Sequence, residues 1–187
     1  MQAETLEGGF ADPPREAAYA FRGLMRAMAR PGTIETLAGA APPAPLSPAA
    51  GTALLTLCDP DTPLYLAGAF DTPDIRAWVA FHTGAPLTGP AHCAFALGSW
   101  EDVLPLDPYP IGTPEYPDRS ATLIIECEAL AQSGATLSGP GIRDTATLAL
   151  PDTELFRRNT ARFPLGLDFL FTAGREIAAM PRTTRIV

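Results

Sequence analysis

The chain has 187 residues, of which 47% are hydrophobic and 18% charged, and its formal net charge is −8 at pH 7. This length and apolar content predict one folded domain, residues 1–187, with a full hydrophobic core rather than a disordered chain. The acidic balance, with no run of basic residues, excludes the basic face that nucleic acids or anionic membranes require.

The sequence contains no lysine, so that all 13 basic residues are arginines. Chemistry that needs a lysine is therefore excluded, including P-loop phosphate binding, kinase catalysis and an imine to a carbonyl cofactor. A GC-rich genome would explain the same bias without any function. Dinucleotide-binding glycine patterns, a nucleophile elbow and closely spaced metal-binding histidines are also absent. We expect no catalytic residue set, no metal and no cofactor in this chain.

Three cysteines, Cys58, Cys93 and Cys127, lie far apart in the sequence. Their odd number and wide spacing argue against disulfides and zinc, and predict small buried apolar side chains. No apolar run approaches the ~18 residues of a membrane span. With no signal-peptide pattern either, we expect a soluble, cytoplasmic protein.

The N-terminal half predicts three helices and two short strands. Residues 1–11 lack apolar periodicity, and we expect them to be mobile. A first amphipathic helix is predicted over residues 13–30, with Asp12 as its N-cap and Pro31-Gly32 as its stop. Further helices are predicted to begin at Pro48 and Pro73, and strands at 33–37 and 64–67. The apolar face of the first helix is expected to consist of Ala18, Phe21, Leu24, Met25 and Met28.

The C-terminal half is richer in strands. Apolar runs predict strands at 91–97, 121–127, around 136–137 and at 145–150, and extended segments at 167–171 and 175–180. Residues 99–118 are predicted to be mostly loop, and a helix of about 12 residues is predicted to begin at Pro151. Helices that alternate with buried strands favour a three-layer α/β fold, in which a mixed central sheet is flanked by helices on both faces.

A tight turn is predicted at Gly139-Pro140-Gly141-Ile142, after a buried strand. Proline fixes φ near −65° and glycine accepts positive φ, so Pro140 and Gly141 suit the two central positions of a type II turn. Gly139 has no side chain, so that another backbone or a ligand could approach it. Two interpretations are open: a purely structural turn, or outward-facing amides of Gly141 and Ile142 that receive an anion.

Three other stretches share the character of this turn, and together the four resemble the PhnH family, a subunit of the bacterial carbon–phosphorus lyase system. The resemblance extends over nearly the whole chain, from Phe21-Arg22-Gly23-Leu24-Met25 through Leu57–Thr62 and His82–Pro86. The four stretches, in order, are Pro117-Asp118-Arg119-Ser120-Ala121-Thr122, Leu137–Ile142, Pro164-Leu165-Gly166-Leu167-Asp168 and Pro181-Arg182-Thr183-Thr184.

The resemblance implies a role in alkylphosphonate degradation. The family looks like an accessory subunit of a cytoplasmic transferase complex with PhnG-, PhnI- and PhnJ-like partners. That complex attaches an alkylphosphonate such as methylphosphonate to ribose from ATP, which gives a ribose 1-phosphonate 5-triphosphate. Family members also form homodimers and resemble a reduced pyridoxal-phosphate-dependent transferase fold. Without lysine this chain cannot hold that cofactor, so the fold likeness implies no cofactor chemistry.

Arginines beside the four stretches suggest a second function. If the sheet brings the stretches together, Arg119, Arg143 and Arg182 could form a phosphate-sized site with Gly139, Gly141 and Ile142. The structural alternative is that Arg119 pairs with Asp118 or Asp168 and that Arg182 fixes the chain end.

Two function hypotheses from different classes follow. The first, which we favour, is an accessory subunit without catalytic residues. The second is a free-standing enzyme or sensor for a phosphonate or phosphate ester. Of the two histidines, His82 is expected to be a helix cap or hydrogen-bonded core group, and His92, at the start of a strand, has no assigned role.

Overall fold

The centre of the molecule is a six-stranded mixed sheet with the order β1-β8-β7-β4-β3-β2; the computed structural model describes residues 6–187. Strands β2, β3, β4 and β7 run parallel, and β8 and β1 pair antiparallel at one side. A smaller antiparallel sheet has the order β6-β5-β9. The strands are β1 (Glu35–Thr36), β2 (Leu64–Leu66), β3 (Phe95–Gly98), β4 (Thr122–Glu126), β5 (Ala135–Ser138), β6 (Ala146–Leu148), β7 (Asp168–Ala173), β8 (Glu176–Met180) and β9 (Arg185–Ile186).

The longer helices begin where the sequence offers a cap or a proline. Ser47, Thr72 and Asp152 accept backbone hydrogen bonds as N-caps, whereas the side chain of Asp12 makes no such bond. Pre-set φ angles make proline suitable at the first helical position. The helices are α1 (Pro13–Ala29), α2 (Pro48–Leu57), α3 (Pro73–His82), the short α4 (Trp100–Val103) and α5 (Thr153–Thr160).

Successive residues of the central strands point to opposite faces of the sheet and belong to two separate hydrophobic cores. On one face, Ile124 of β4 and Leu170 of β7 pack in a cluster with residues of α1, α2 and α3. On the other face, Phe169 and Phe171 join Phe156 of α5, together with residues of the small sheet. The three-layer α/β prediction with a mixed sheet is confirmed. Beside α5, the small sheet covers part of the second face, which the sequence did not indicate.

The buried face of α1 differs from the predicted one. Small residues make the close contacts: Ala20, Gly23 and Ala27 are buried beside Leu24. Phe21 and Met25, which were predicted to face the core, are 49% and 51% exposed. A Cβ on Gly23 would lie 3.3 Å from Leu37 Cδ1, so the helix approaches too closely for bulky side chains on that side.

Two other predictions need correction. His92 lies in a 3-10 turn, Pro90–His92, and the strand begins only at Phe95, because Pro90 opens a helical turn. The helix predicted from Pro151 begins at Thr153, where the Asp152 side chain caps it, and has eight residues. The four-residue α4 is consistent with the prediction that residues 99–118 are mostly loop. Cys58 and Cys93 are buried as predicted, Cys127 is half-buried, and all three thiols are free.

The segment before α1 lies against α3. Trp78 Nε1 donates to the carbonyl oxygen of Glu7 at 2.9 Å, and His82 Nε2 lies 3.0 Å from that of Leu6. His82 thus holds a neighbouring segment from the end of its helix. Residues 1–11 were expected to be mobile, and residues 1–5 of that segment lie outside the described residues. None of the described helices combines the length and the apolar character of a membrane span.

The predicted type II turn is confirmed. The Ile142 amide donates to the carbonyl oxygen of Gly139 at 3.1 Å, and Gly141 has φ of 81°. Both glycines face other backbone segments: a Cβ on Gly141 would lie 1.9 Å from Ala29 O, and one on Gly139 would lie 3.0 Å from Thr183 O. The turn therefore fastens the small sheet to the end of α1.

We expect Gly141→Ala to lower the free energy of unfolding by about 3 kcal/mol, because it adds left-handed strain and a clash with the end of α1. Gly174→Ala is the matched control, since Gly174 also has positive φ but faces open space. Its cost should be about 1–2 kcal/mol. Denaturant unfolding of both variants measures the difference; equal costs would contradict the close packing of the turn.

Candidate functional site

The four sequence stretches meet at one edge of the sheet, where β4 and β7 begin and β8 ends. Thr122 pairs with Asp168 between the parallel strands, and Phe169 pairs with Met180 in the antiparallel pair. This register brings the segments before β4, at the start of β7 and after β8 together. The small sheet adds the fourth stretch, because Ser138 of β5 pairs with Arg185 of β9.

Arg182, which belongs to the last stretch, binds two of the others at once. Its backbone amide donates to Asp168 Oδ1 at 2.8 Å, and its Nε lies 3.2 Å from both carboxylate oxygens of Asp168. One terminal nitrogen donates to the carbonyl oxygen of Pro117 at 2.7 Å, and the other donates to Ser120 Oγ and to Asp168 Oδ2. The two charged side chains are 12% and 15% exposed. We call Arg182, Asp168, Ser120 and Pro117 the Arg182 cluster.

The geometry of this cluster agrees with the structural interpretation of Arg182, in which the side chain fixes the chain end and does not bind an anion. Nitrogen atoms on all sides of the guanidinium group already donate to protein acceptors. A planar fork that binds a carboxylate with two parallel bonds is specific for arginine. Arg182 therefore joins segments that are far apart in the sequence, and few of its donors remain for a ligand.

The remaining residues of the predicted anion site are differently placed. The sequence suggested an ion pair between Arg119 and Asp168, but the structure does not form it. The guanidinium carbon of Arg119 lies instead 4.0 Å from the ring centroid of Tyr116. Arg143 is exposed after the turn. The Ile142 amide is bonded inside the turn, and Gly141 faces α1. Of the predicted anion-site residues, the structure thus brings Gly139 and Arg182 to the common edge, because Gly139 lies against the backbone of Thr183, next to Arg182. Gly141 faces the end of α1 instead.

A shallow cleft of about 270 Å³ lies beside this edge, lined by Pro140, Thr160, Phe163, Thr183 and Arg185. Thr160 Oγ1 donates to the carbonyl oxygen of Thr184 at 2.8 Å. Thr184 Oγ1 is fully buried and, among the described residues, lacks a hydrogen-bond partner. A water molecule or a small ligand at this edge could satisfy such a group.

Arg182→Ala should lower the free energy of unfolding by about 3–5 kcal/mol, because it leaves the Asp168 carboxylate buried without its partner. Adding Asp168→Ala should recover part of that loss, since no uncompensated charge remains. The exposed Arg185→Ala is the control, with an effect within about 0.5 kcal/mol. Chemical denaturation measures all three; an Arg182→Ala cost as small as that of the control would contradict the cluster's role.

A half-buried carboxylate that was not among the predicted site residues lies at the opposite end of β4. Glu126 Oε1 accepts from the Ser47 amide at 2.7 Å, and Oε2 accepts from the Thr172 hydroxyl at 3.1 Å. Burial raises the pKa of Glu126 above its ordinary value, and the hydrogen bonds from Ser47 and Thr172 oppose that rise. A polar residue at the carboxyl end of a buried parallel strand is the pattern that could have indicated it.

A raised pKa in the folded state gives stability at low pH that is lost as the pH rises through the folded pKa. We therefore expect the melting temperature of the wild type, relative to Glu126→Gln, to fall between pH 4 and pH 7. The amide keeps an acceptor for Ser47 but does not titrate. Glu128→Gln, two residues on and exposed, is the control. A constant difference between wild type and Glu126→Gln across this range would contradict the assignment.

Within residues 6–187, no three His, Cys, Asp or Glu side chains are grouped as ligands of one ion. Burial raises the pKa of the Cys93 and Cys127 thiols to about 11, which keeps both protonated near neutral pH. Protonated thiols are poor nucleophiles and poor metal ligands.

Comparison with known proteins supplies the context for this fold. A sequence profile described as "Bacterial phosphonate metabolism protein (PhnH)" matches residues 8–187. The alpha-D-ribose 1-methylphosphonate 5-triphosphate synthase subunit PhnH of Rhizobium meliloti (strain 1021) is 44% identical, over 99% of this chain and 97% of that protein. The putative C-P lyase subunit protein HtxG of Stutzerimonas stutzeri is 30% identical, over 96% of this chain and 95% of that protein. The chain therefore belongs to the PhnH family.

Proposed function

We propose that this chain is an accessory subunit of an assembly that forms a ribose 1-methylphosphonate 5-triphosphate during alkylphosphonate degradation. The observation that carries the proposal is the 44% identity, over nearly the full length of both chains, to a protein named as a subunit of that synthase. An assembly that uses ribose from ATP, as the family resemblance implies, would act in the cytoplasm.

The bonding at the sheet edge supports an accessory role more than a free-standing anion-binding one. Arg182 and the Ile142 amide bond within the protein, so that Arg119 and Arg143 are the arginines of the predicted site with exposed side chains. Arg119 stacks on Tyr116, and Arg143 lies beyond a turn that is itself packed on α1. Neither position is a built pocket.

The outer face of α1 is the surface that we assign to a companion subunit. Phe21 and Met25, which are neighbours one helical turn apart, are 49% and 51% exposed, which is unusual for adjacent large apolar side chains on one helix. They border a groove of about 180 Å³ that continues to Leu57 and Phe95. This α1 face, defined by Phe21 and Met25, thus combines exposed apolar side chains with a concave apolar floor.

Charge indicates what the partner looks like. Arg22 lies three residues before Met25 on the helix and therefore beside it. Arg22 and Arg15 also lie 5.8 Å and 5.9 Å from the ring centroid of Tyr19, farther round the helix, so the α1 face has a cationic border on a chain of net charge −8. Interfaces are typically an apolar centre with a charged rim that matches the partner's charge. The fitting partner presents an apolar strip bordered by acidic side chains, as a PhnG-, PhnI- or PhnJ-like subunit could.

Co-purification tests the proposal. We expect the tagged wild-type chain to elute with the companion subunits of its own organism, and the Phe21→Ser/Met25→Ser variant to bind them at least about tenfold more weakly, because two central apolar contacts are lost. Phe81→Ser removes an equally exposed aromatic from α3 and should have no effect.

Three other outcomes are informative. A wild-type chain that remains a monomer and does not co-elute with the companion subunits would contradict the subunit role. Companion binding that survives the double substitution would contradict the α1 face. A dimer of the chain alone that the double substitution dissociates would assign the face to a second copy, as the homodimers implied by the family resemblance would require.

A further inference from the structure

A second cleft lies on the other side of α5 from the sheet edge, between that helix and the segment after α4. It has a volume of about 410 Å³, which is in the range of pockets for small organic molecules. Apolar side chains form much of its lining. These are Leu104, Leu106, Leu155 and Leu167. The cleft uses none of the residues of the Arg182 cluster or of the α1 face.

Two arginines line this cleft, Arg158 on α5 and Arg162 in the turn after it. Arg158 pairs with Glu154 at 3.3 Å, and Arg162 with Asp107 at 3.8 Å; all four side chains are largely exposed. Exposed pairs of this kind contribute little stability, so a ligand can replace their carboxylates at low cost. Both arginines line the same cleft, Arg158 from α5 and Arg162 from the turn that follows it, so that an anion in the cleft can meet either guanidinium group.

The wall of the cleft is fixed by a buried amide. Asn159 Nδ2 donates to the carbonyl oxygen of Leu167 at 2.8 Å, and its Oδ1 accepts from the Leu167 amide at 2.7 Å. Close packing adds to this, because a Cβ on Gly166 would lie 3.0 Å from Asn159 Oδ1. The floor and the helix that carries Arg158 are therefore held in one arrangement before any ligand arrives.

We infer that this cleft binds a small organic anion in which a phosphoryl or phosphonyl group is attached to an apolar body. Arg158 and Arg162 hold the charged group, and the leucines contact the body. A dianion with three oxygens can accept from two guanidinium groups at once, which a carboxylate with two oxygens does less well. The inference does not depend on the proposed subunit role, since the isolated chain has the complete cleft.

Phenyl phosphate is the probe, titrated into the purified full chain and followed by calorimetry. We expect saturable binding at millimolar or lower concentration, and a loss of about tenfold or more in affinity for Arg158→Gln and for Arg162→Gln. Asp107→Asn should tighten binding about two- to fivefold, because it releases Arg162 and removes a repelling charge. Arg157→Gln, on the same helix but outside the cleft, should change nothing.

The comparison ligands make the inference falsifiable. Benzoate and inorganic phosphate should each bind more weakly than phenyl phosphate. Equal binding of inorganic phosphate would contradict a role for the apolar lining, and equal binding of benzoate would contradict selection of the phosphoryl group. No saturation by about 10 mM phenyl phosphate, or equal losses for Arg157→Gln and Arg158→Gln, would overturn the site. The measurement needs no companion subunit, so it fails or succeeds separately from the co-purification experiment.

Discussion

The ion pair between Arg182 and Asp168 depends on the strand register and in turn holds it in place. Asp168 is the first residue of β7, and Arg182 follows β8, so that the pair closes the open end of that hairpin. The bonds from the same guanidinium to Pro117 and Ser120 extend the closure to β4. A mostly buried ion pair is weak support for stability by itself, but loss of one partner is costly. Its main effect here is to fix which segments meet.

This closure explains why the proposed surfaces lie elsewhere. The sheet edge with the four stretches is occupied by internal bonds, and the turn at Gly141 packs on the end of α1. Besides the shallow cleft beside that edge, the α1 face and the cleft of Arg158 and Arg162 remain open to other molecules. Residues of the four stretches thus mainly build the fold, while Arg158 and Arg162 lie outside every stretch that carries the family resemblance.

Local chemistry was predictable and distant pairing was not. The type II turn follows from Pro140 and Gly141 alone, because each residue restricts or frees its own backbone. The sequence left Asp118 and Asp168 as equivalent partners for Arg119, and only the strand register shows that Asp168 pairs with Arg182 instead. On α1, apolar periodicity indicated Phe21 and Met25, but close approach selected Ala20, Gly23 and Ala27 for the core. The half-buried Glu126 was missed because its partners, Ser47 and Thr172, lie in other elements.

The position of Arg182 along the chain has a consequence for biosynthesis. Its partners at Pro117, Ser120 and Asp168 all leave the ribosome before it does. Strands β2, β3 and β4 can pair with one another earlier, but β4 has no neighbour on its other side until β7 has been made. Unpaired strand edges in incompletely folded chains favour aggregation. During synthesis, the side of β4 that later meets β7 is therefore the exposed edge of the nascent sheet.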